Sequence, residues 1–173
     1  MAKLLKPAIK ISSLHDLDLV YWYNRGVRGI LIDLDNTISP WRQNNVTNEA
    51  RSFIKKCNEQ GIKIALFTNA KPERAYEVAA SLNIPCYPYA RKPFPGQYKK
   101  VLASLGFWPA QTMTIGDQIF TDILGGNLAG CLTVLIPPLE STEYCGTKIL
   151  RFFERLIGVR QKPRFPKYNS SEE

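Results

Sequence analysis

Short, continuous apolar runs alternate along this chain with longer segments whose apolar residues recur at helical spacing. Continuous runs are typical of strands buried on both faces, and they occupy residues 29–33, 62–68, 112–116 and 132–136. A shorter strand is predicted at 85–90. Helical spacing predicts helices over 48–60, 72–82, 97–105 and 120–128. This alternation predicts an α/β fold, with a parallel sheet and helices on both faces.

Polar residues follow the predicted strands at the points where they end. Asp33, Thr68 and Asp117 each stand at the carboxyl end of a strand, and Lys92 follows the shorter strand closely. In open parallel sheets, ligands bind in the crevice beyond these ends. We therefore expect these four side chains to converge on one crevice.

The acid-rich segment after the first strand is Asp33-Leu34-Asp35-Asn36-Thr37. Two carboxylates two residues apart are weak evidence on their own, because Asp and Asn also favour turns. The ordered set of this segment, Thr68, Lys92, Gly116-Asp117 and Asp122, each near a strand end, is far more specific. Phosphoryl transfer requires this kind of positioning and charge neutralisation.

With these motifs the chain resembles the haloacid dehalogenase (HAD) superfamily of phosphotransferases, and more closely the YqeG family of HAD subclass IIIA phosphatases. Further matching segments are Leu5-Lys6-Pro7, Ala90-Arg91-Lys92-Pro93, Gly116-Asp117-Gln118, Thr121-Asp122 and Leu124-Gly125-Gly126-Asn127. The resemblance runs from about Leu4 to Arg160. It implies a Rossmann-like HAD fold, a Mg²⁺ ion and hydrolysis of phosphomonoesters. It also links the chain to eukaryotic phosphatidylglycerophosphate phosphatases, which make phosphatidylglycerol.

On this resemblance, Asp33 is the expected nucleophile, and it forms an aspartyl phosphate. Asp35 protonates the leaving oxygen and later activates water. The metal ligands are Asp33, the backbone carbonyl of Asp35 and Asp117, with Asp122 orienting the metal shell. Asp122 has an ordinary alternative role as a charge at the start of a helix.

Thr68, Asn69 and Lys92 are the expected phosphate-binding residues. The Thr68 hydroxyl and the Asn69 backbone amide donate to phosphoryl oxygens, and Lys92 neutralises both the phosphoryl group and Asp33. Thr68 can instead cap a turn, and Lys92 can instead be a surface lysine.

Many HAD enzymes close a cap domain over the site, and the spacing here leaves no room for one. Only 30 residues separate Thr37 from Thr68, and only 23 separate Thr68 from Lys92. The predicted helices and strands occupy both intervals. We therefore expect an open site that suits a phosphate presented by something large, such as a membrane, a protein or a nucleic acid end.

Net positive charge is concentrated near the end of the 173-residue chain. Residues 1–146 carry 16 basic and 12 acidic groups, while residues 147–173 carry 7 and 3. We expect a single domain over 1–160 and a basic tail over 161–173. A helix over 147–160 has apolar and basic faces, which suits an anionic membrane surface, although its apolar face can equally pack on the sheet.

The remaining sequence features concern location. No apolar run approaches the ~20 residues of a membrane span, and the first residues lack the apolar region of a secretory signal. The four cysteines stand far apart, which favours a reduced chain over a disulfide framework. We expect a cytoplasmic protein, peripheral on the inner face of the membrane.

Together these features predict a Mg²⁺-dependent phosphomonoester hydrolase, with phosphatidylglycerophosphate as the first choice of substrate. A phosphatase acting on a protein, a nucleic acid end or a soluble metabolite is the alternative within the same chemistry. A non-catalytic module that binds RNA or ribosomes is the alternative of another class, although nucleic acid is the less favoured partner.

Overall fold

The computed structural model describes residues 2–140, in which six strands form one parallel sheet in the order β1–β6–β5–β2–β3–β4. The strands are β1 (Ile9–Lys10), β2 (Gly29–Ile32), β3 (Lys63–Phe67), β4 (Cys86–Tyr87), β5 (Thr112–Gly116) and β6 (Leu132–Leu135). The predicted α/β architecture is confirmed. The predicted helix over 147–160, the tail over 161–173 and Cys145 lie outside the described residues.

Five α-helices connect the strands: α1 (Leu19–Asn24), α2 (Asn48–Glu59), α3 (Pro72–Leu82), α4 (Pro95–Leu105) and α5 (Leu124–Ala129). The Thr47 side chain begins α2 by accepting a hydrogen bond from the Ala50 amide. Proline occupies the first helical position of α3 and α4, where a missing N–H costs nothing. Asn83 and Gly106 end these two helices in the left-handed conformation.

The core lies on both faces of the sheet because successive strand residues point to opposite sides. In β2, Ile30 and Ile32 join the larger apolar cluster, which includes Phe53 of α2. Leu31 points the other way, into a smaller cluster with Tyr98 of α4. The helices therefore cover both faces, as expected.

Local differences from the sequence prediction occur where short-range patterns are weak. The predicted strand at 85–90 shrinks to Cys86–Tyr87, and β1 and α1 were not predicted because both are short. The predicted helix over 120–128 divides into a π-helical turn, Ile119–Ile123, followed by α5. In the wider turn, the Ile123 amide donates to the carbonyl of Gln118, five residues earlier.

Within residues 2–140 there is no cap domain, and the segment between β2 and α2 is a loop. None of the described helices has the length and apolar character needed to cross a membrane. No additional domain within residues 2–140 therefore covers the carboxyl ends of the strands.

Candidate active site

A cavity of about 730 Å³ opens at the carboxyl edge of the sheet. Its lining combines acidic, basic and hydroxyl side chains: Asp33, Asp35, Trp41, Arg42, Thr68, Asn69, Ala70, Lys71, Glu73, Arg74, Lys92, Gln118 and Thr121. Asp33, Thr68 and Lys92 thus meet in one crevice, and Asp117 lies against Asp33. The parallel arrangement explains this convergence, because all the strands end at the same edge.

The loop after β2 separates the two acids of the first motif. The Asp33 amide extends the sheet by donating to the Ile115 carbonyl at 2.9 Å. The chain then turns tightly, with Asn36 in the left-handed conformation at a φ of 59°. The Asp33 carboxylate consequently meets Lys92, whereas the Asp35 carboxylate meets Arg74.

Three buried carboxylates and one ammonium form what we call the inner cluster: Asp33, Asp117, Asp122 and Lys92. One oxygen of each carboxylate lies within 4.8 Å of the others. The Lys92 Nζ donates to Asp33 Oδ1 at 2.6 Å and to Asp122 Oδ1 at 2.5 Å. Lys92 is only 7% exposed, so it is not a surface lysine.

The inner cluster carries one cation against three acids, a formal charge of −2. Burial disfavours the ionised carboxylate and raises the pKa of Asp122 to about 6, although the charge of Lys92 opposes the shift. Burial alone would lower the pKa of Lys92, but the charges of Asp122 and Asp33 outweigh it, and the pKa is raised. A divalent cation would balance the remaining charge, and carboxylate oxygens are the ligands that Mg²⁺ prefers. The donor set therefore fits Mg²⁺.

Asp122 reaches the cluster from the π-helical turn. Its Oδ2 accepts hydrogen bonds from the Gln118 amide and the Thr121 hydroxyl, both at 3.2 Å, while its Oδ1 meets Lys92. A β-carbon on Gly116 would overlap the Asp122 carboxylate. The glycine before Asp117 therefore makes space for the third acid.

Lys92 is carried by residues 88–94, which we call the lysine loop. The Asn69 side chain holds this loop at both polar groups of the Lys92 backbone, accepting from its amide at 2.9 Å and donating to its carbonyl at 3.2 Å. The Ala90 amide also donates to the Thr68 carbonyl. The Asn69 side chain thus positions the lysine, a role that the sequence did not suggest.

Thr68 ends β3 and is 1% exposed. Its Oγ1 accepts a hydrogen bond from the Ala70 amide at 3.1 Å, which is the predicted turn-capping contact. The hydroxyl hydrogen is still available to donate, since this contact uses only an oxygen lone pair. The two roles considered for Thr68 are therefore compatible.

Asp35 and Arg74 form a second ion pair at the cavity wall, which we call the outer pair. The Arg74 Nη1 lies 2.8 Å from Asp35 Oδ1 and 2.9 Å from Oδ2, and its Nη2 donates to the Gln43 carbonyl at 2.7 Å. The Arg42 amide adds a hydrogen bond to Asp35. Burial, then the charge of Asp33, raises the pKa of Asp35, while the contacts from Arg42 and Arg74 oppose the shift.

Arg74 was missed by the sequence reasoning. The available signal is its place in the first turn of α3, directly after the Thr68-Asn69 motif. The first turn of a helix that follows a parallel strand lies at the same edge as the strand ends. A basic residue at that position was therefore a candidate for the crevice.

Comparison with known proteins agrees with this geometry. The family model described as haloacid dehalogenase-like hydrolase matches residues 38–130. The Bacillus subtilis protein named probable phosphatase YqeG is 34% identical over 133 residues, covering 77% of each chain. The Arabidopsis thaliana phosphatidylglycerophosphate phosphatase 1 is 27% identical over 146 residues, which span 79% of this chain and 42% of that protein.

The fold has solved counterparts as well. The crystal structure of an uncharacterised Listeria monocytogenes protein superimposes with a TM-score of 0.58 and 16% identity, covering 68% of this chain and 85% of that one. This likeness supports the fold, whereas the family rests on the matched residues and on YqeG. The chain therefore belongs to the haloacid dehalogenase-like hydrolase family and is a phosphatase homologous to YqeG.

Proposed function

We propose that this chain is a Mg²⁺-dependent phosphomonoester hydrolase that forms a covalent intermediate on Asp33. The observation that carries the proposal is the inner cluster, where a buried carboxylate lies against an ammonium ion and two further acids. The partly exposed Asp35 beside it supplies a group for proton transfer. A nucleophile, a charge-neutralising cation and an acid–base group are the parts that stepwise phosphoryl transfer needs.

In the first half of the reaction, Asp33 attacks phosphorus. Lys92 bonds to Asp33 Oδ1, so we assign the attack to Oδ2. The new Asp33–phosphorus bond forms as the bond from phosphorus to the ester oxygen breaks. Asp35 gives its proton to the departing alkoxide, which leaves as an alcohol.

In the second half, water attacks the phosphorus of the aspartyl phosphate. Asp35, now ionised, takes a proton from that water, inorganic phosphate departs, and the Asp33 carboxylate is regenerated. Thr68, the Asn69 backbone amide and Lys92 hold the phosphoryl oxygens. Asp33, the Asp35 backbone carbonyl, Asp117 and Asp122 would hold Mg²⁺, which supplies positive charge to the phosphoryl oxygens when bound.

Phosphatidylglycerophosphate is our proposed substrate, hydrolysed at the inner face of the membrane. Similarity to the Arabidopsis thaliana enzyme of that name supports it. The chemistry also suits it, because a glycerol alkoxide is a poor leaving group that requires an acid such as Asp35. The cavity has no cap over it within residues 2–140, so a phosphate on a large surface has access.

The test is phosphate release with Mg²⁺ from phosphatidylglycerophosphate in mixed micelles and from p-nitrophenyl phosphate, by wild type, Asp33→Asn and Glu59→Gln. Glu59 lies on the exposed surface of α2, so its variant is a matched acid-to-amide control. We expect release from the lipid that Asp33→Asn lowers by about 10³-fold or more and Glu59→Gln leaves unchanged.

Two outcomes contradict different parts of the proposal. Release by Asp33→Asn at the wild-type rate would remove Asp33 as the nucleophile. Equal, weak release from the lipid and from p-nitrophenyl phosphate would keep the chemistry but overturn the lipid substrate.

A further inference from the structure

The lysine loop has an inner and an outer side. Ala90 and Lys92 point inwards and are 2% and 7% exposed, while Tyr89 and Arg91, which alternate with them along the chain, are exposed. Tyr89 and Arg91 adopt left-handed φ angles of 46° and 49°. This alternation means that the segment that delivers Lys92 to the inner cluster also presents side chains to solvent.

The outer side of the loop is unusually apolar for an exposed surface. Phe94 is 70% exposed and Tyr89 is 55% exposed. Tyr89 lies beside the cavity, since its amide donates to the carbonyl of Ala70, a lining residue. Phe94 stands two residues after the lining residue Lys92, and its amide donates to the Arg91 carbonyl in the same loop. Exposed apolar groups clustered beside a site are typical of contact surfaces.

The exposed charges on the lysine loop and on α4, which follows it, are of one sign. No acidic residue occurs between Glu77 and Asp117, an interval that contains Arg91, Lys99 and Lys100 as exposed cations. Within residues 2–140, none of these three takes part in an ion pair. At the cavity itself the exposed Lys71 is balanced by the exposed Glu73, so the excess cations are those of the loop and α4. This surface therefore complements an anionic partner.

We propose that the outer side of the lysine loop docks on an anionic phospholipid bilayer, with Tyr89 and Phe94 in the interfacial region and Arg91 among the headgroups. Aromatic side chains settle at the membrane interface, and cations are drawn to anionic lipid. The inference rests on the proposed lipid substrate. We choose a bilayer over a nucleic acid because the proposed substrate is itself a membrane lipid, and because Pro93 and Pro95 extend the apolar surface on either side of Phe94.

This docking would orient the active site. The Asn69 side chain fixes the Lys92 backbone, and backbone bonds from Tyr89 and Ala90 tie the loop to residues 68–70. A bilayer held at Tyr89 and Phe94 consequently stands beside the cavity opening. A lipid phosphate would then enter with its acyl chains still in the membrane.

The experiment is sedimentation of the full chain, without Mg²⁺, with vesicles of phosphatidylcholine alone or mixed with phosphatidylglycerol. Loss of both aromatic groups in Tyr89→Asn/Phe94→Ser should weaken binding to the mixed vesicles by about tenfold. Arg91→Asn should weaken it by about fivefold, and only when phosphatidylglycerol is present. Asn is chosen at 89 and 91 because it tolerates the left-handed conformation.

Trp108→Ser is the matched control. Trp108 is 75% exposed, but it precedes β5 and so lies at the opposite edge of the parallel sheet. We expect it to bind vesicles like wild type. The basic residues beyond 140 are present in every variant, so a difference between variants reports the loop. All variants should hydrolyse p-nitrophenyl phosphate at the wild-type rate, which shows that they fold.

Wild-type vesicle binding by Tyr89→Asn/Phe94→Ser would overturn the docking surface. So would loss of affinity for single-stranded RNA in that variant with no change in vesicle binding, which would make the surface a nucleic-acid site. Failure of the proposed function gives a different result. The chain would then release phosphate from neither phosphatidylglycerophosphate nor p-nitrophenyl phosphate, or weakly and equally from both, whatever its vesicle binding.

Discussion

The inner cluster and the outer pair both join aspartate to a basic residue, yet they differ in burial and in charge. The side chains of Lys92, Asp33 and Asp122 are 2% to 7% exposed, whereas those of Asp35 and Arg74 are 14% and 17% exposed. The inner cluster has a formal charge of −2, and the outer pair is neutral. Two neighbouring carboxylates of one motif, Asp33 and Asp35, thus lie in opposite electrostatic situations.

This difference in burial and charge suits the inner cluster to metal binding and the outer pair to proton transfer. An excess of buried negative charge is costly to the fold, and it creates the affinity for a cation that offsets the cost. A neutral pair at a solvent-accessible wall has no such excess, and it can hold a carboxylate in place while a proton comes and goes. The following changes test the contrast, in order of expected effect.

Replacement of the inner cation should have the largest effect. Lys92→Met leaves buried carboxylates without their ammonium partner, so we expect a loss of about 3 kcal/mol in the free energy of unfolding. Activity should fall by about 10³-fold. Urea unfolding and phosphate release measure the two. Lys99→Met, on the exposed side of α4, is the control, and an equal loss in both variants would contradict a special role for Lys92.

Removal of one inner acid should separate metal binding from stability. In Asp117→Asn the formal charge of the inner cluster changes from −2 to −1. We therefore expect the metal-free variant to be at least as stable as wild type. Wild type should gain about 2.7 kcal/mol from Mg²⁺ at 100 times its Kd, and the variant should gain little. Thermal melts with and without Mg²⁺ measure this. A full Mg²⁺ response in the variant would exclude Asp117 as a ligand.

Disruption of the outer pair should affect proton transfer more than folding. Arg74→Gln releases the Asp35 carboxylate from its position, and we expect hydrolysis of an alkyl phosphate to fall by roughly 30-fold. Hydrolysis of p-nitrophenyl phosphate, whose leaving group needs little protonation, should change far less. Arg74→Lys should recover part of the loss. Equal losses on both substrates would make Arg74 merely structural.

Acid should weaken metal binding through Asp122. Its pKa is raised from 3.8 to about 6, so the folded state favours the protonated form. Because the folded protein binds this proton more tightly than the unfolded chain, the proton stabilises the fold fully below about pH 3.8. That stabilisation is lost as the pH rises through about 6. Mg²⁺ requires the ionised carboxylate, and its affinity should therefore fall as the pH drops below about 6. Titration calorimetry on either side of that pH measures the change, and Asp122→Asn should flatten it.

The sequence alone predicted most of the fold because most strands and helices of the parallel sheet each carry a clear local pattern. Strands β2, β3, β5 and β6 are continuous apolar runs, and α2 and α3 carry helical spacing with clear start signals. Local pattern was insufficient where tertiary contacts decide. The π-helical turn, for example, places Asp122 against Gly116 at the end of β5, a contact that the local pattern does not reveal.

The same division applies to the site. Asp33, Thr68, Lys92 and Asp117 were predicted because parallel strands bring their carboxyl ends to one edge, and that rule needs no coordinates. The partners of these side chains required the tertiary structure. The contacts from Asn69 to Lys92 and from Arg74 to Asp35 span 23 and 39 residues, and side-chain contacts at such separations leave no periodic trace in the chain. Sequence determined which chemical groups gather, and packing decided which acid is buried with Lys92 and which meets Arg74 at the wall.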